Sequence, residues 1–468
     1  MRLGKIRKIH FVGIGGIGMS GIAEVLLNLG YAVTGSDLNP SEITERLAEL
    51  GARIYADHRP EHVHGSDVVI YSSAVTLDNP EVQEALRLKI PVIKRAEMLG
   101  ELMRLKFGIA IAGTHGKTTT TSLTGAVLSH AGLDPTLIIG GRVRAMNTNA
   151  QLGSGDLLVA EADEFDRSLL NIVPTIAVIT NIEADHMECY ADLEDLHNAF
   201  VTFANKVPFY GRVIACLDDP GVQEVLQRIK RRLETYGFSP QADWVARDVT
   251  LGPEGSRFTV VYHGEKLGEV TLRLPGKHNV LNALAALAVG NELEVPFATM
   301  QEALAGFSGV DRRFDIKGEF NGVMVVDDYA HHPTEIEATL KAARTGWPER
   351  RLVVAFQPHL YSRTQYFLNA FARALMLADV VLVLDVYPAR EAPIPGVSGQ
   401  ALAEAARALG HRQVYFLADK TQLPEKALEM TRPGDMLLTI GAGDIWRLNR
   451  NIVARFRQLA GEQSAPKD

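Results

Sequence analysis

The segment Gly113-Thr114-His115-Gly116-Lys117-Thr118-Thr119 places glycines, a lysine and threonines between an apolar run, Phe107–Ala112, and a helical stretch, Thr118–His130. Backbone N–H groups of such a turn, at a helix N-terminus, cradle phosphates. Lys117 reaches the outer phosphates of a nucleotide and the Thr118 hydroxyl is placed to bind Mg²⁺. The usual spacing has glycine where Ile111 stands, so this is a variant phosphate loop.

A second glycine run, Gly13-Ile14-Gly15-Gly16-Ile17-Gly18, also lies between a strand and a helix, and Asp37 follows Gly18 by 19 residues. That pattern lets backbone approach a pyrophosphate and gives a ribose hydroxyl an acid. UDP satisfies it as well as NAD does. Ser36, Asp37, Ser72 and Ser73 sit at expected strand ends beside the turn and are the candidate contacts. Further carboxylates, Glu161, Asp163, Glu164 and Asp166, follow an apolar run. If that strand continues, Glu161 and Asp163 share a face, and an acid there suits Mg²⁺. His186 follows another apolar strand and is a second candidate ligand for the metal or phosphate. Cys189, a soft donor, is given no role.

Strand and helix signals alternate along the whole chain, which implies parallel sheets covered by helices. The reading is an α/β protein of three Rossmann-like or phosphate-loop domains with mainly parallel sheets, divided at 1–105, 106–315 and 316–468. Length agrees, since 468 residues at roughly 150 per domain gives about three. With 46% hydrophobic and 22% charged residues the chain is neither disordered nor coiled coil. A formal charge of −8 and the absence of a long Lys/Arg block argue against a nucleic-acid partner. Two cysteines, Cys189 and Cys216, supply no disulfide framework, which fits a reducing cytoplasm. No apolar run reaches membrane-span length, so no membrane partner is expected. The basic N-terminus imitates an export signal, but its glycines and continuing periodicity make it the first strand.

Taken together, the phosphate loop, the run Glu161–Asp166, Gly276-Lys277-His278-Asn279-Val280-Leu281-Asn282-Ala283, Arg312-Arg313-Phe314 and Asp327-Asp328-Tyr329-Ala330-His331-His332-Pro333 resemble the Mur ligases. These are ATP-dependent amide-forming enzymes of peptidoglycan precursor synthesis. The resemblance covers essentially the whole chain, with motifs in family order in all three parts. Gly13–Gly21, His115 and the His331-His332 pair resemble most the branch that joins UDP-N-acetylmuramate to L-alanine. The resemblance implies that the first domain binds UDP, the second ATP and Mg²⁺ (or Mn²⁺), and the third the amino acid. It further implies Glu161 and His186 as metal ligands, Asn279 and Asn282 near the adenine, Arg313 at the phosphates and Asp328 at the ATP ribose. Phe165 and Leu360 depart from it: some relatives carry Ser and Arg there. No lysine is matched to the carbamylated one of several sister ligases.

A carboxylate needs activation before an amine attacks it, and an acyl phosphate made from ATP provides that. The catalytic set is then Lys117 for charge, with His331 or His359 to assist removal of the ammonium proton. Arg363 offers a planar fork to the alanine carboxylate, with Tyr329, His331 and His359 around it. Arg363 follows the expected strand Leu352–Phe356 by a short loop and His331 follows the expected strand Val323–Val326, so both loops should leave the same edge of a parallel sheet. Alternatives remain: a recycling ligase that takes a tripeptide, an NAD-dependent oxidoreductase, or an ATP-gated binding protein. The protein is expected as a monomer or homodimer.

Overall fold

The computed structural model describes residues 3–39, 41–72, 74–143, 148–389, 391–459 and 461. The chain packs as two compact units. One comprises Met1–Val249, Phe258–Thr271 and Val280–Ser308; the other comprises Thr250–Arg257, Leu272–Asn279 and Gly309–Asp468.

The first sheet contains β1 (Lys8–Val12), β2 (Ala32–Ser36), β3 (Arg53–Tyr55), β4 (Val68–Tyr71) and β5 (Val92–Lys94), in the order β3-β2-β1-β4-β5. All its pairings are parallel. Central β1, Lys-Ile-His-Phe-Val, is buried from Ile9 to Val12, and His10 is accommodated there by a hydrogen bond between its Nδ1 and the Thr34 hydroxyl at 2.8 Å.

The second sheet is built from β6 (Phe107–Ala112), β7 (Thr136–Val143), β8 (Thr148–Gln151), β9 (Leu157–Ala162), β10 (Ile176–Ile179), β11 (Arg212–Cys216), β12 (Leu233–Gly237), β13 (Trp244–Gly252), β14 (Gly255–Tyr262) and β15 (Glu265–Leu272). Its order is β15-β14-β13-β12-β11-β10-β6-β9-β7-β8. From β9 through β6, β10, β11 and β12 the strands are parallel. β6 has the bounds expected from its apolar run, whereas β7 and β8 pair antiparallel beside the parallel strands.

The third sheet contains β16 (Asp315–Phe320), β17 (Val323–Asp328), β18 (Leu352–Phe356), β19 (Val380–Leu384), β20 (Val414–Leu417) and β21 (Met436–Ile440), ordered β16-β17-β21-β18-β19-β20. Only β16 runs antiparallel, against β17, among the described strands. Val354, Phe356, Leu438 and Ile440 share one core with Ile336, Leu340, Phe371 and Leu375. Val353, Ala355 and Leu437 share another with Ile445, Ile452 and Phe456. Both faces are thereby covered by helices. No described helix is long and apolar enough to cross a membrane.

The parallel order sets where chemistry collects. The phosphate loop leaves the C-terminal end of β6, Glu161 is the next-to-last residue of β9, and Thr180 follows β10. In the other unit Asp328 ends β17 and His359 follows β18. Loops at such edges are where α/β sheets bind ligands.

Candidate active site

The phosphate loop is held by its neighbour strand. Asn181 Oδ1 accepts from the His115 N–H at 2.7 Å, and the Thr180 hydroxyl donates to the His115 carbonyl at 2.6 Å. Thr114 Oγ1 accepts from the Glu183 N–H at 2.9 Å. Gly113 adopts φ +139°, and a Cβ there would lie 2.0 Å from Thr180 Oγ1, so no other residue fits. Thr118 and Thr119 are buried in the first turn of the helix Lys117–His130. Asn282 Oδ1 accepts from the Thr120 hydroxyl at 3.1 Å and lies across from Gly116.

Lys117 Nζ donates to the Gly113 carbonyl at 2.5 Å and the Thr114 carbonyl at 3.1 Å, and pairs with Glu164 Oε2 at 2.7 Å. Burial pushes its proton affinity down, but Glu164 and Asp163 outweigh this and hold Lys117 firmly charged. Glu164 is only 1% exposed, and burial pushes its carboxyl up to about 7 against the pull of Lys117. Asp163 stays below its ordinary range: burial would raise it, and Lys117, His186 and Arg95 together prevail. β9 ends at Ala162, so Asp163 lies just beyond the strand on which the shared-face argument with Glu161 depended.

Glu161 Oε1 accepts from the Gly140 N–H at 2.5 Å. Its charge acts on Lys117, and His186 acts on both Asp163 and Glu164, so the acids and the imidazole surround one poorly screened spot. A carboxylate, a threonine hydroxyl and water fit Mg²⁺, and the crowding of buried negative charge favours a divalent cation there. The Phe165 ring meets His186 edge-on at 5.0 Å, so this departure from the family pattern packs against a candidate metal ligand.

At the first glycine turn, the Gly13 and Ile14 N–H groups donate to the Ser36 carbonyl at 2.8 and 3.0 Å. Asp37 Oδ2 accepts from the Gly15 N–H at 2.8 Å, and a Cβ on Gly15 would stand 2.8 Å from that oxygen. Gly16 precedes the helix Ile17–Asn28, and Gly18 lies in its first turn. The Ser36 side chain, expected at the ligand, instead lies behind the turn. It is fully buried and its hydroxyl donates to Glu81 Oε2 at 2.5 Å, because β2 is covered on that face. Glu81 is in turn held by His58 Nδ1 at 2.9 Å and His62 Nδ1 at 2.8 Å. Ser72 faces Gly13 and accepts from the Ala74 N–H at 3.2 Å. Ser73 lies outside the described residues.

Sequence reasoning missed Arg95 and the pairing of Glu164. Arg95 directly follows β5, and its Nη1 lies 3.1 Å from where a Gly18 Cβ would sit. Its charge also acts on Asp163, so one guanidinium serves both the first glycine turn and the acidic run after β9. A cation at the C-terminal end of a parallel strand was the available signal.

In the other unit, Asp328 is fixed by the Phe314 and Ala330 N–H groups, both at 2.8 Å, and burial pushes its carboxyl up to about 6. Arg312 is tied to Asp327 at 3.2 Å, while the Arg313 guanidinium lies 5.2 Å from the Tyr329 ring centre. Asn279 Nδ2 donates to the Pro275 carbonyl at 2.8 Å, closing the turn before its helix. Tyr329, His331, His359 and Arg363 come together as expected. The Tyr329 and His331 rings are 5.3 Å apart, His331 and His359 6.1 Å, and Arg363 Nη1 is 3.4 Å from His359 Nδ1. His332 turns away to cap the helix Pro333–Gly346. Leu360, at φ +68°, precedes the helix that carries Arg363, and such backbone strain collects at functional sites.

Residues 8–107 match the Mur ligase family, catalytic domain; residues 111–290 match the Mur ligase middle domain; residues 312–443 match the Mur ligase, glutamate ligase domain. A UDP-N-acetylmuramate–L-alanine ligase of Geobacter sp. (strain M21) is 57% identical over 97% of this chain and 98% of its own. One from Salinibacter ruber is 55% identical over 98% and 97%. The crystal structure of a UDP-N-acetylmuramate–alanine ligase from Thermotoga maritima superimposes with a TM-score of 0.83 at 32% identity, covering 97% of this chain and 99% of that one. A murein peptide ligase from Psychrobacter arcticus shares the fold, with a TM-score of 0.72. Each family segment falls on one of the glycine turns or on the arginine–histidine cluster, and together they span nearly the whole molecule: the chain belongs to the Mur ligase family.

Proposed function

We propose that this ATP-dependent ligase joins L-alanine to the lactyl carboxylate of UDP-N-acetylmuramate in peptidoglycan synthesis. The observation that carries the reading is the presence, within one compact unit, of both a phosphate loop and a diphosphate-type glycine turn, with Arg95 beside Gly18 and its charge acting on Asp163. Such a pairing serves a reaction in which a sugar nucleotide's carboxylate meets a nucleoside triphosphate. The full-length likeness to L-alanine ligases selects the acceptor.

In this reading the lactyl carboxylate attacks the γ-phosphorus of ATP, ADP leaves, and an acyl phosphate forms. The alanine amine then attacks the acyl carbon and phosphate departs. Lys117 exchanges its loop carbonyls and Glu164 for phosphate oxygens and neutralises the charge that builds there. Thr118, Glu161 and His186 would hold Mg²⁺, which supplies further neutralisation of phosphate charge. Gly13, Gly15, Gly16 and Gly18, with Asp37 and Ser72, receive the UDP group. His115, Asn279, Asn282, Arg313 and Asp328 complete the ATP contacts. Arg363 holds the alanine carboxylate, with Tyr329 beside it, and His331 or His359 takes the ammonium proton. The domains 1–105, 106–315 and 316–468 bind UDP, ATP and the amino acid respectively. The enzyme acts in the cytoplasm as a monomer or homodimer.

Phosphate release from ATP tests the reading. It should require UDP-N-acetylmuramate and L-alanine together. Turnover with a tripeptide in place of alanine, or with neither acceptor, overturns it.

A further inference from the structure

We propose that the surface formed by Phe209, Tyr210 and the basic run Arg228–Arg232 docks the protein onto an anionic phospholipid bilayer. The turn Pro208-Phe209-Tyr210-Gly211 joins the helix Leu193–Asn205 to β11. Phe209 is 88% exposed and Tyr210 58%, with their rings edge to face at 5.3 Å. A lone exposed apolar side chain is ordinary. Two adjacent aromatics at the tip of one turn, with cations fastened behind them, are a different arrangement.

The cations are Arg228, Lys230, Arg231 and Arg232; direct bonds join the first three to the segment before the aromatic turn, and the Arg232 carbonyl accepts from the Val213 N–H of β11 at 2.8 Å. Arg231 Nε donates to the Val207 carbonyl at 2.6 Å, two residues before Phe209. Asn205 Nδ2 donates to the Arg228 carbonyl at 3.0 Å, and Asn205 Oδ1 accepts from the Lys230 N–H at 2.7 Å. Arg228 is partly neutralised by Glu194 at 2.9 Å. Lys230, Arg231 and Arg232 are exposed and form no ion pair among the described residues. On a chain of net charge −8 this is a local reversal of sign.

Topology places the patch away from catalysis. β6, β10, β11 and β12 are parallel. The aromatic turn enters the N-terminal end of β11 and the basic run enters that of β12, whereas the phosphate loop leaves the C-terminal end of β6. The two features therefore lie at opposite edges of one sheet, and a surface bound at the first leaves the second open. Aromatic rings in front of guanidinium and ammonium groups match the layering of a bilayer, whose anionic headgroups lie outside its apolar interior. The sequence reading expected no membrane partner, and this surface revises that expectation.

The test is flotation of the full chain with vesicles of phosphatidylcholine alone or with about one-third phosphatidylglycerol, at low and at physiological salt. The chain should float with the anionic vesicles, less so as salt rises, and stay behind with neutral ones. F209S/Y210S and K230E/R232E should each lower the bound fraction by about tenfold or more, with ligase turnover and melting temperature unchanged. No preference for anionic vesicles, or variants that bind like the parent, overturns the proposal. So does a parent chain that fails to float but sediments as a dimer which F209S/Y210S makes monomeric, because the patch would then be a self-association surface.

Discussion

Replacing Lys117 by alanine removes the group around which the phosphate site is organised. Its ammonium lies 2.7 Å from Glu164 and 3.1 Å from the Thr114 carbonyl, in a site where burial pushes the Glu164 carboxyl up to about 7. Solvent screens charge weakly there. Losing one charge-assisted contact to a developing charge in such a place costs about 2.7–4 kcal/mol of barrier, or roughly 10²–10³ in kcat. Stability gives a second signature. Without Lys117 to oppose burial, Glu164 binds its proton still more tightly in the fold. Because its folded affinity exceeds that of the unfolded chain, stability is intact in acid and is lost as pH rises above the ordinary carboxylate value of 4.5. K117A should therefore melt progressively earlier than the parent as pH increases. The assay is continuous phosphate release at saturating ATP, UDP-N-acetylmuramate and L-alanine, beside calorimetric binding of UDP-N-acetylmuramate as a control for folding. A variant that binds the sugar nucleotide normally yet keeps more than about a tenth of parental kcat refutes the assignment, because that is far short of the expected loss.

Arg363→Lys should raise KM for alanine well above tenfold while leaving KM for ATP within about twofold, because an ammonium lacks the planar fork; equal shifts in both would remove Arg363 from the acceptor. Glu161→Gln and His186→Ala should each raise the Mg²⁺ concentration at half-maximal rate about 10–100-fold without changing UDP-N-acetylmuramate binding in calorimetry, and an unaltered metal dependence places the ligands elsewhere. At Glu81, burial alone would raise the carboxyl, but hydrogen bonds from His10, Ser36 and His58 bring it down to about 2. Its contribution is thus present above the ordinary value of 4.5 and disappears as pH falls toward 2. Glu81→Gln should flatten that acid limb of the melting-temperature profile and, through Ser36, weaken UDP-N-acetylmuramate binding more than ATP binding.

Local signals carried most of what was legible in the sequence. β6 was expected with the bounds it has, because a strand buried on both faces reads as a short continuous apolar run. The phosphate loop was legible for the same reason: its glycines, lysine and threonines act within one turn. β12, Leu-Glu-Thr-Tyr-Gly, escaped notice because it carries polar residues that find partners only in the folded sheet. Glu164 stood among four similar carboxylates, and only the turn after β9 points it at Lys117, 47 residues away. Ser36 shows the opposite case. A hydroxyl at a strand end suggests a ligand, but Glu81, 45 residues further on, takes it from behind. The assembly of His331, His359 and Arg363 was legible because it follows from parallel order: loops after β17 and β18 leave one edge, with β21 between those strands.

The central claim is that ATP activates the lactyl carboxylate by phosphorylation, and isotope transfer measures this directly. UDP-N-acetylmuramate labelled with heavy oxygen in that carboxylate is turned over with ATP and L-alanine, and the products are weighed by mass spectrometry. An acyl phosphate requires that one carboxylate oxygen leave with phosphate, so each phosphate released should carry one atom at the carboxylate's enrichment, with ADP unlabelled. Labelled AMP with unlabelled phosphate would show activation by adenylation. Unlabelled phosphate beside unlabelled nucleotide would show hydrolysis uncoupled from the carboxylate, and either result contradicts the account.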